Sequence, residues 1–238
     1  MKPILLLTIS FLAGGFLLPG LTVSHGGEEG STDRELREVI VSHTDENGIL
    51  QLYRMKEDGS ASTQLTHSHR GCRMPACSPD RRKLVYIEQT GHGVSLWLSD
   101  LDGKNAKALV EDGRNLVPSW LPDSKHIVWM STQPGQDPSR NSQIHLMNTE
   151  TGDSRRLFTD PEQLKFSNSM PVVSPQGDRI AFVSNRSGEM RIWVSDLNGS
   201  NAVLISPPEV EYNEAIKAPI EQKVPAWSPD GKWIAHWE

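Results

Sequence analysis

A short proline-bounded pattern that returns four times constrains this chain more than any other feature. Pro75-Ala-Cys-Ser-Pro-Asp80 recurs as Pro118-Ser-Trp-Leu-Pro-Asp123, Pro171-Val-Val-Ser-Pro-Gln176 and Pro225-Ala-Trp-Ser-Pro-Asp230, at spacings of 43, 53 and 54 residues. Each copy leads at one offset into a β-branched and aromatic run: Leu84–Ile87, Ile127–Met130, Ile180–Val183 and Ile234–Trp237. A second motif follows, Leu96-Trp-Leu-Ser-Asp-Leu-Asp-Gly103 and Ile192-Trp-Val-Ser-Asp-Leu-Asn-Gly199, with a looser copy at Ile144–Asn148. An upstream copy, Leu52–Gly59, is preceded by Val39–Ser42. Self-similarity at this period marks a repeat architecture, in which one supersecondary unit buries its face only against its neighbours.

The local chemistry of each unit is that of strands and tight turns. Proline removes a ladder donor and belongs at strand ends or bulges. Ser228-Pro-Asp-Gly-Lys232 is turn chemistry, with proline presetting φ and glycine supplying positive φ. Asp102-Gly103 and Asn198-Gly199 are hairpin signals, each followed by another short strand. We find no convincing amphipathic helix after the N-terminal segment. The expected fold is all-β: a β-propeller of four-stranded antiparallel blades, about four to five repeat units in number. The units fall near 39–74, 75–117, 118–170, 171–224 and 225–238, within one repeat region at 39–238. The last unit stops inside a strand, so the expectation is part of a longer propeller, with a closed four-bladed ring as the alternative. Trp120 and Trp227 share one repeat position with Cys77 and Val173; Trp97 and Trp193 share another with Tyr53 and His145. Recurrence at one repeat position points to packing between blades.

Before the repeats, Lys2 precedes an apolar run from Ile4 to Leu18, broken by Pro19 and Gly20. That order reads as a secretory signal peptide over 1–24. Gly14, Gly15, Pro19 and Gly20 interrupt the roughly 20 apolar residues that a membrane anchor needs. No cysteine follows the apolar run to carry a lipid, and residues 25–38 read as a flexible lead-in. The expected location is periplasmic or secreted, with no stable membrane span after signal removal. A net charge of −6 with mixed signs offers no basic stripe for nucleic acid.

The pattern PxWSPDGxxIAF followed by IWxxDxxG resembles the WD-like propeller repeat of the TolB family, from about residue 39 to the C-terminus. The resemblance implies an exported β-propeller. The same blade type occurs in the periplasmic TolB protein of the Tol–Pal envelope system, in propeller domains of prolyl oligopeptidase-like peptidases and in other exported proteins. Unlike TolB, no α/β domain is legible ahead of the repeats.

Candidate chemistry is sparse. No Gly-x-Ser-x-Gly elbow is present, so the hydrolase chemistry of the peptidases has no nucleophile here. His67-Ser-His69 alternates along an extended segment near Cys72 and could seed a metal site; a solvent-facing loop is the simpler reading. Cys72 and Cys77 could form a disulfide in an oxidising compartment, or Cys77 could fill an apolar repeat position. The recurring acidic residues Asp80, Asp100, Asp102, Asp123, Asp196 and Asp230 suit turn capping better than a carboxylate ring. Better suspects interrupt the repeat: the insertion 133–141 and the stretch 207–217, acidic around Tyr212. The expectation is a non-catalytic exported scaffold for a protein or glycan partner in the cell envelope, with no catalytic, cofactor or metal residues and no bound cofactor. The alternative is the propeller portion of an exported enzyme, lyase-like or peptidase-like.

Overall fold

A computed structural model describes residues 36–205, 212–213, 218–219 and 223–237. The expected signal peptide, most of the lead-in and most of 207–217 lie outside the described residues. The described chain is all-β, apart from a single helical turn at Pro138–Asn141 (α1) and a 3-10 turn at Gln163–Lys165.

The strands run in short antiparallel meanders. The first sheet holds β1 (Glu38–Thr44), β2 (Leu50–Lys56) and β3 (Thr63–Gln64). The second unit holds β4 (Cys72–Cys77), β5 (Lys83–Gln89), β6 (Val94–Asp100) and β7 (Lys107–Val110). The third holds β8 (Arg114–Trp120), β9 (His126–Thr132), β10 (Gln143–Asn148) and β11 (Ser154–Arg156). The fourth holds β12 (Asn168–Val173), β13 (Arg179–Ser184), β14 (Arg191–Asp196) and β15 (Val203–Leu204). A two-residue hairpin, β16 (Tyr212–Asn213) with β17 (Ala218–Pro219), precedes β18 (Lys223–Trp227) and β19 (Ile234–Trp237). The second and third units join into one sheet through a single parallel bridge, Val94 beside Arg114. Two glycines permit that approach, because a Cβ on Gly93 would collide with the Gly113 carbonyl. Among the described residues the sheets do not close into a ring.

The first strands of successive units, β4, β8, β12 and β18, pack against one another in order. Each carries the recurrent proline, and each breaks ladder register there: between Arg73 and Ala76, Leu116 and Ser119, Ser169 and Val172, and Lys223 and Ala226. In three of them the residue before proline sits at positive φ: Met74 at 53°, Val117 at 53° and Met170 at 49°. Proline has no N–H to offer the ladder, so the strand bulges at this point and bends. Non-glycine residues rarely adopt that conformation, and its return in unit after unit makes it part of the repeat geometry.

Three apolar clusters lie between units. Ile40, Leu52 and Leu65 meet Cys72, Leu84 and Tyr86 between the first and second. Val85, Ile87 and Leu96 meet Trp120, Ile127 and Trp129 between the second and third. Val128, Ile144 and Phe158 meet Val173, Ile180 and Phe182 between the third and fourth. The recurrent tryptophan adds a polar tie. The Trp120 indole N–H donates to Ala76 O at 2.8 Å, and that of Trp227 to Val172 O at 3.0 Å. Ala76 and Val172 occupy the same repeat position, so each tryptophan fastens its first strand to that of the preceding unit.

Cys72 and Cys77 are free. They stand at opposite ends of β4. Five strand residues at about 3.3 Å each separate them far beyond the roughly 7 Å Cα limit for a disulfide. The apolar-position reading is the one the fold supports, and burial pushes both thiols up to about 11.

Candidate functional site

The meander places alternate connections at opposite ends of every unit, and the two ends differ in kind. One end carries the turns at 57–62, 78–82, 101–106, 121–125, 149–153, 174–178, 197–202 and 228–233, each five or six residues long. Their polar groups are bonded within the turn or to a neighbouring unit, as where the Asp80 N–H donates to Ser124 Oγ and the Gln176 side chain to Asp230 O. Ser78 Oγ donates to Asp80 Oδ1 at 2.6 Å and accepts from the Lys83 N–H at 2.9 Å. Ser228 with Asp230, and Ser174 with Asp178, repeat the device. Asp123 accepts from the Lys125 and His126 amides and from the His126 ring. Asp100 accepts from Lys83 Nζ and the Asn105 amide, Asp102 from the Lys104 amide, and Asp196 from the Asn201 side chain. Hydrogen bonds of this sort hold Asp80, Asp100 and Asp102 below the usual carboxylate range, with the Ser78, Lys83 and Lys104 side chains the leading causes respectively. The recurrent acids are turn caps.

The opposite end carries connections at 45–49, 65–71, 90–93, 111–113, 133–142, 157–167 and 185–190, which vary from three to eleven residues; two of them pass beside turns of the next unit, Leu65 against Gly103 and Gln163 donating to Gly199 O. The 133–142 insertion lies here and folds into α1, capped by Asp137 with Pro138 in the first turn. The Asp-Pro pair is a helix-start signal that the strand-dominated reading passed over. Asn115 and Asn168, both fully buried, organise this end. The Asn115 side chain donates to Val94 O and Asp112 O and accepts the Trp129 indole N–H at 3.0 Å. Asn168 accepts from the Arg186 guanidinium at 2.9 Å and donates to Phe166 O. Both stand three residues before the recurrent proline, a spacing that sequence reasoning could have found.

His67 and His69 are exposed on the 65–71 connection, with Ser68 turned inward between them. Ser68 Oγ donates to Glu88 at 2.5 Å and accepts the Arg70 and Gly71 amides. Gln51 holds the Ser68 backbone from the first sheet. Among the described residues no three His, Cys, Asp or Glu side chains converge as a metal site, and Cys72 is buried whereas both imidazoles are exposed.

Beside this connection a cavity of about 260 Å³ opens between the first two sheets. Its wall includes Ile49, Leu50, Arg70, Gly71, Arg73 and Gln89. Arg73 donates to Gln89 Oε1 at 2.9 Å, and Gln89 is fixed by donating to Gly93 O at 3.0 Å. The Arg70 guanidinium lies against Gly91, where an added Cβ would meet it at 3.7 Å. A different arginine shows what a structural role looks like. Arg186 donates to Asn168 and Ser184 and stacks 5.0 Å from Phe182 and 5.1 Å from Trp193, and burial lowers its pKa.

The TolB beta propeller domain family model matches residues 27–236, nearly all of the repeat region. The chain belongs to the TolB beta propeller domain family. A TolB homolog of Chlorobium luteolum is 27% identical over 158 residues, covering 66% of this chain and 34% of the relative. An uncharacterized peptidase, YuxL, of Bacillus subtilis is 25% identical over 193 residues, covering 67% and 28%. The chain thus spans about a third or less of the length of these curated relatives. TolB from Acinetobacter baumannii superposes with a TM-score of 0.62 at 22% identity, over 79% of this chain and 42% of that one. An oligogalacturonate lyase in complex with manganese gives 0.55 at 18% identity, over 78% and 50%. These superpositions show the TolB-type fold, shared by proteins of different activity. No helix among the described residues is long and apolar enough to cross a membrane.

Proposed function

We propose that this TolB-family propeller is a non-catalytic scaffold, exported to the periplasm or beyond, that binds a protein partner of the cell envelope through the end carrying the variable connections. One observation carries the reading: eight described turns of near-uniform length, capped by their own side chains, form one end, while connections of three to eleven residues form the other. Uniformity at one end is what neighbour packing demands of every unit. Variation at the other, on a rigid framework, is where binding surfaces are built. Similarity to the TolB homolog supports the envelope role, and the apolar run at 4–18 supports export.

A second reading, the propeller portion of an enzyme, draws on the likeness to YuxL and to the lyase fold. The test is direct. Incubated with oligogalacturonate and manganese, and separately with aminoacyl nitroanilides, the protein should release no product. Immobilised, it should retain an envelope protein that is lost when 133–142 is replaced by a two-residue Asn-Gly turn. Turnover of either substrate would overturn the scaffold reading.

A further inference from the structure

We propose that the cavity between the first two sheets receives a carboxylate presented by an acidic peptide segment of the partner, with Arg70 and Arg73 as its ligands. The proposal deepens the scaffold reading and rests on it. The two arginines interrupt the repeat: counted from the recurrent proline, Arg73 stands where other units have Leu116, Ser169 and Lys223, and Arg70 where they have Gly113, Phe166 and Ile220. Packing common to the units therefore does not explain them.

Among the described residues neither cation is neutralised. Among the described residues, the Arg70 side chain has no hydrogen-bond or ion-pair partner, and that of Arg73 has only the uncharged Gln89. The neighbouring carboxylates are turned to other tasks. Glu88 accepts from Ser68 Oγ, and Asp45 accepts the Asn47 and Ile49 amides and the Gln51 side chain. Two guanidiniums at one cavity present planar donor forks that match a carboxylate, and such charge-assisted bonds are the strong ones. Gln89, fixed by Gly93 O, holds the Arg73 fork in place. The remaining wall favours a peptide over a sugar. Ile49 and Leu50 offer apolar surface to a side-chain stem, and glycine at 48 and 71 leaves backbone accessible, while among the described residues no aromatic or hydroxyl side chain lines the cavity.

The test is calorimetric titration of the full chain at low ionic strength, where screening is weakest. The probes are the blocked peptide acetyl-Glu-Glu-Glu-amide, its all-Gln counterpart and trigalacturonate. The Glu peptide should bind, the Gln peptide should not, and Arg70→Gln and Arg73→Gln should each weaken binding by about tenfold or more. Arg81→Gln, in a turn at the opposite end, should leave it unchanged. Arg70 is exposed, so its variant keeps the test valid even if the Arg73 variant folds poorly. No binding by the Glu peptide, or equal loss in the Arg81 variant, would overturn the site. Tighter binding of trigalacturonate through the same arginines would overturn the peptide assignment. A partner still held by the variable connections when the peptide does not bind would sink the carboxylate site alone, leaving the scaffold standing.

Discussion

The recurrent tryptophans do two different jobs, and conservative substitution separates them. Trp120 is 8% exposed and donates across the unit boundary to Ala76 O, whereas the buried Trp97 Nε1 finds no acceptor among the described residues. Trp120→Phe should therefore cost about 1 kcal/mol more than Trp97→Phe in denaturant unfolding, the net worth of a typical hydrogen bond. Trp120→Ala should cost about 3–5 kcal/mol; a loss below about 1 kcal/mol would mean the tryptophan is not part of the core. His145 carries a pH signature. It lies in β10, the third strand of its unit, against Trp129, 5.2 Å between ring centroids, and burial with Arg156 nearby depresses it to about 4. Its unfolded imidazole takes a proton at higher pH than the folded one, so its contribution is complete above about 6.5 and is lost as pH falls towards 4. His145→Gln should flatten the stability profile across that window. The tryptophans were legible because they recur in large, rare residues. Asn115 and Asn168 recur just as regularly, but an asparagine gives no sign in sequence that it is fully buried.

At the scale of elements, turn chemistry was legible and its exceptions are informative. The fourth residue of the first turn sits at positive φ in every unit: Gly177 at 78° and Gly231 at 71°, but also Arg81 at 61° and Ser124 at 59°. Arg81→Gly should raise stability by up to about 1 kcal/mol, the cost of a left-handed non-glycine residue less the added freedom of the unfolded chain. Gly103 is the opposite case. It stands at φ 82°, and a Cβ there would collide with the Leu65 carbonyl of the preceding unit. Gly103→Ala should destabilise by well over 1 kcal/mol, since strain and clash act together, with a lowered unfolding midpoint as the readout. The Asp-Gly pair announced a hairpin; that its glycine is also a contact between units was not readable, because the contact partner is nearly 40 residues away. The single parallel bridge between the second and third units was not readable either, because nothing local in the sequence pairs Val94 with Arg114.

For the whole molecule, a unit that recurs at 43 to 54 residues made the all-β repeat readable from end to end. The polarity of the array was not readable. Which connections share an end depends on strand direction, and only when the meanders are laid side by side do uniform turns separate from variable connections. The cationic cavity was invisible in sequence because Ile49 and Leu50 come from the first sheet while Arg73 and Gln89 come from the second. The central claim, that recognition belongs to the variable end, is tested most directly by amide hydrogen exchange with and without the retained partner. Protection should rise at 45–49, 65–71, 90–93, 133–142 and 185–190 and stay unchanged at the capped turns 78–82, 121–125 and 174–178. Protection confined to those capped turns would place the binding surface at the opposite end and contradict the account.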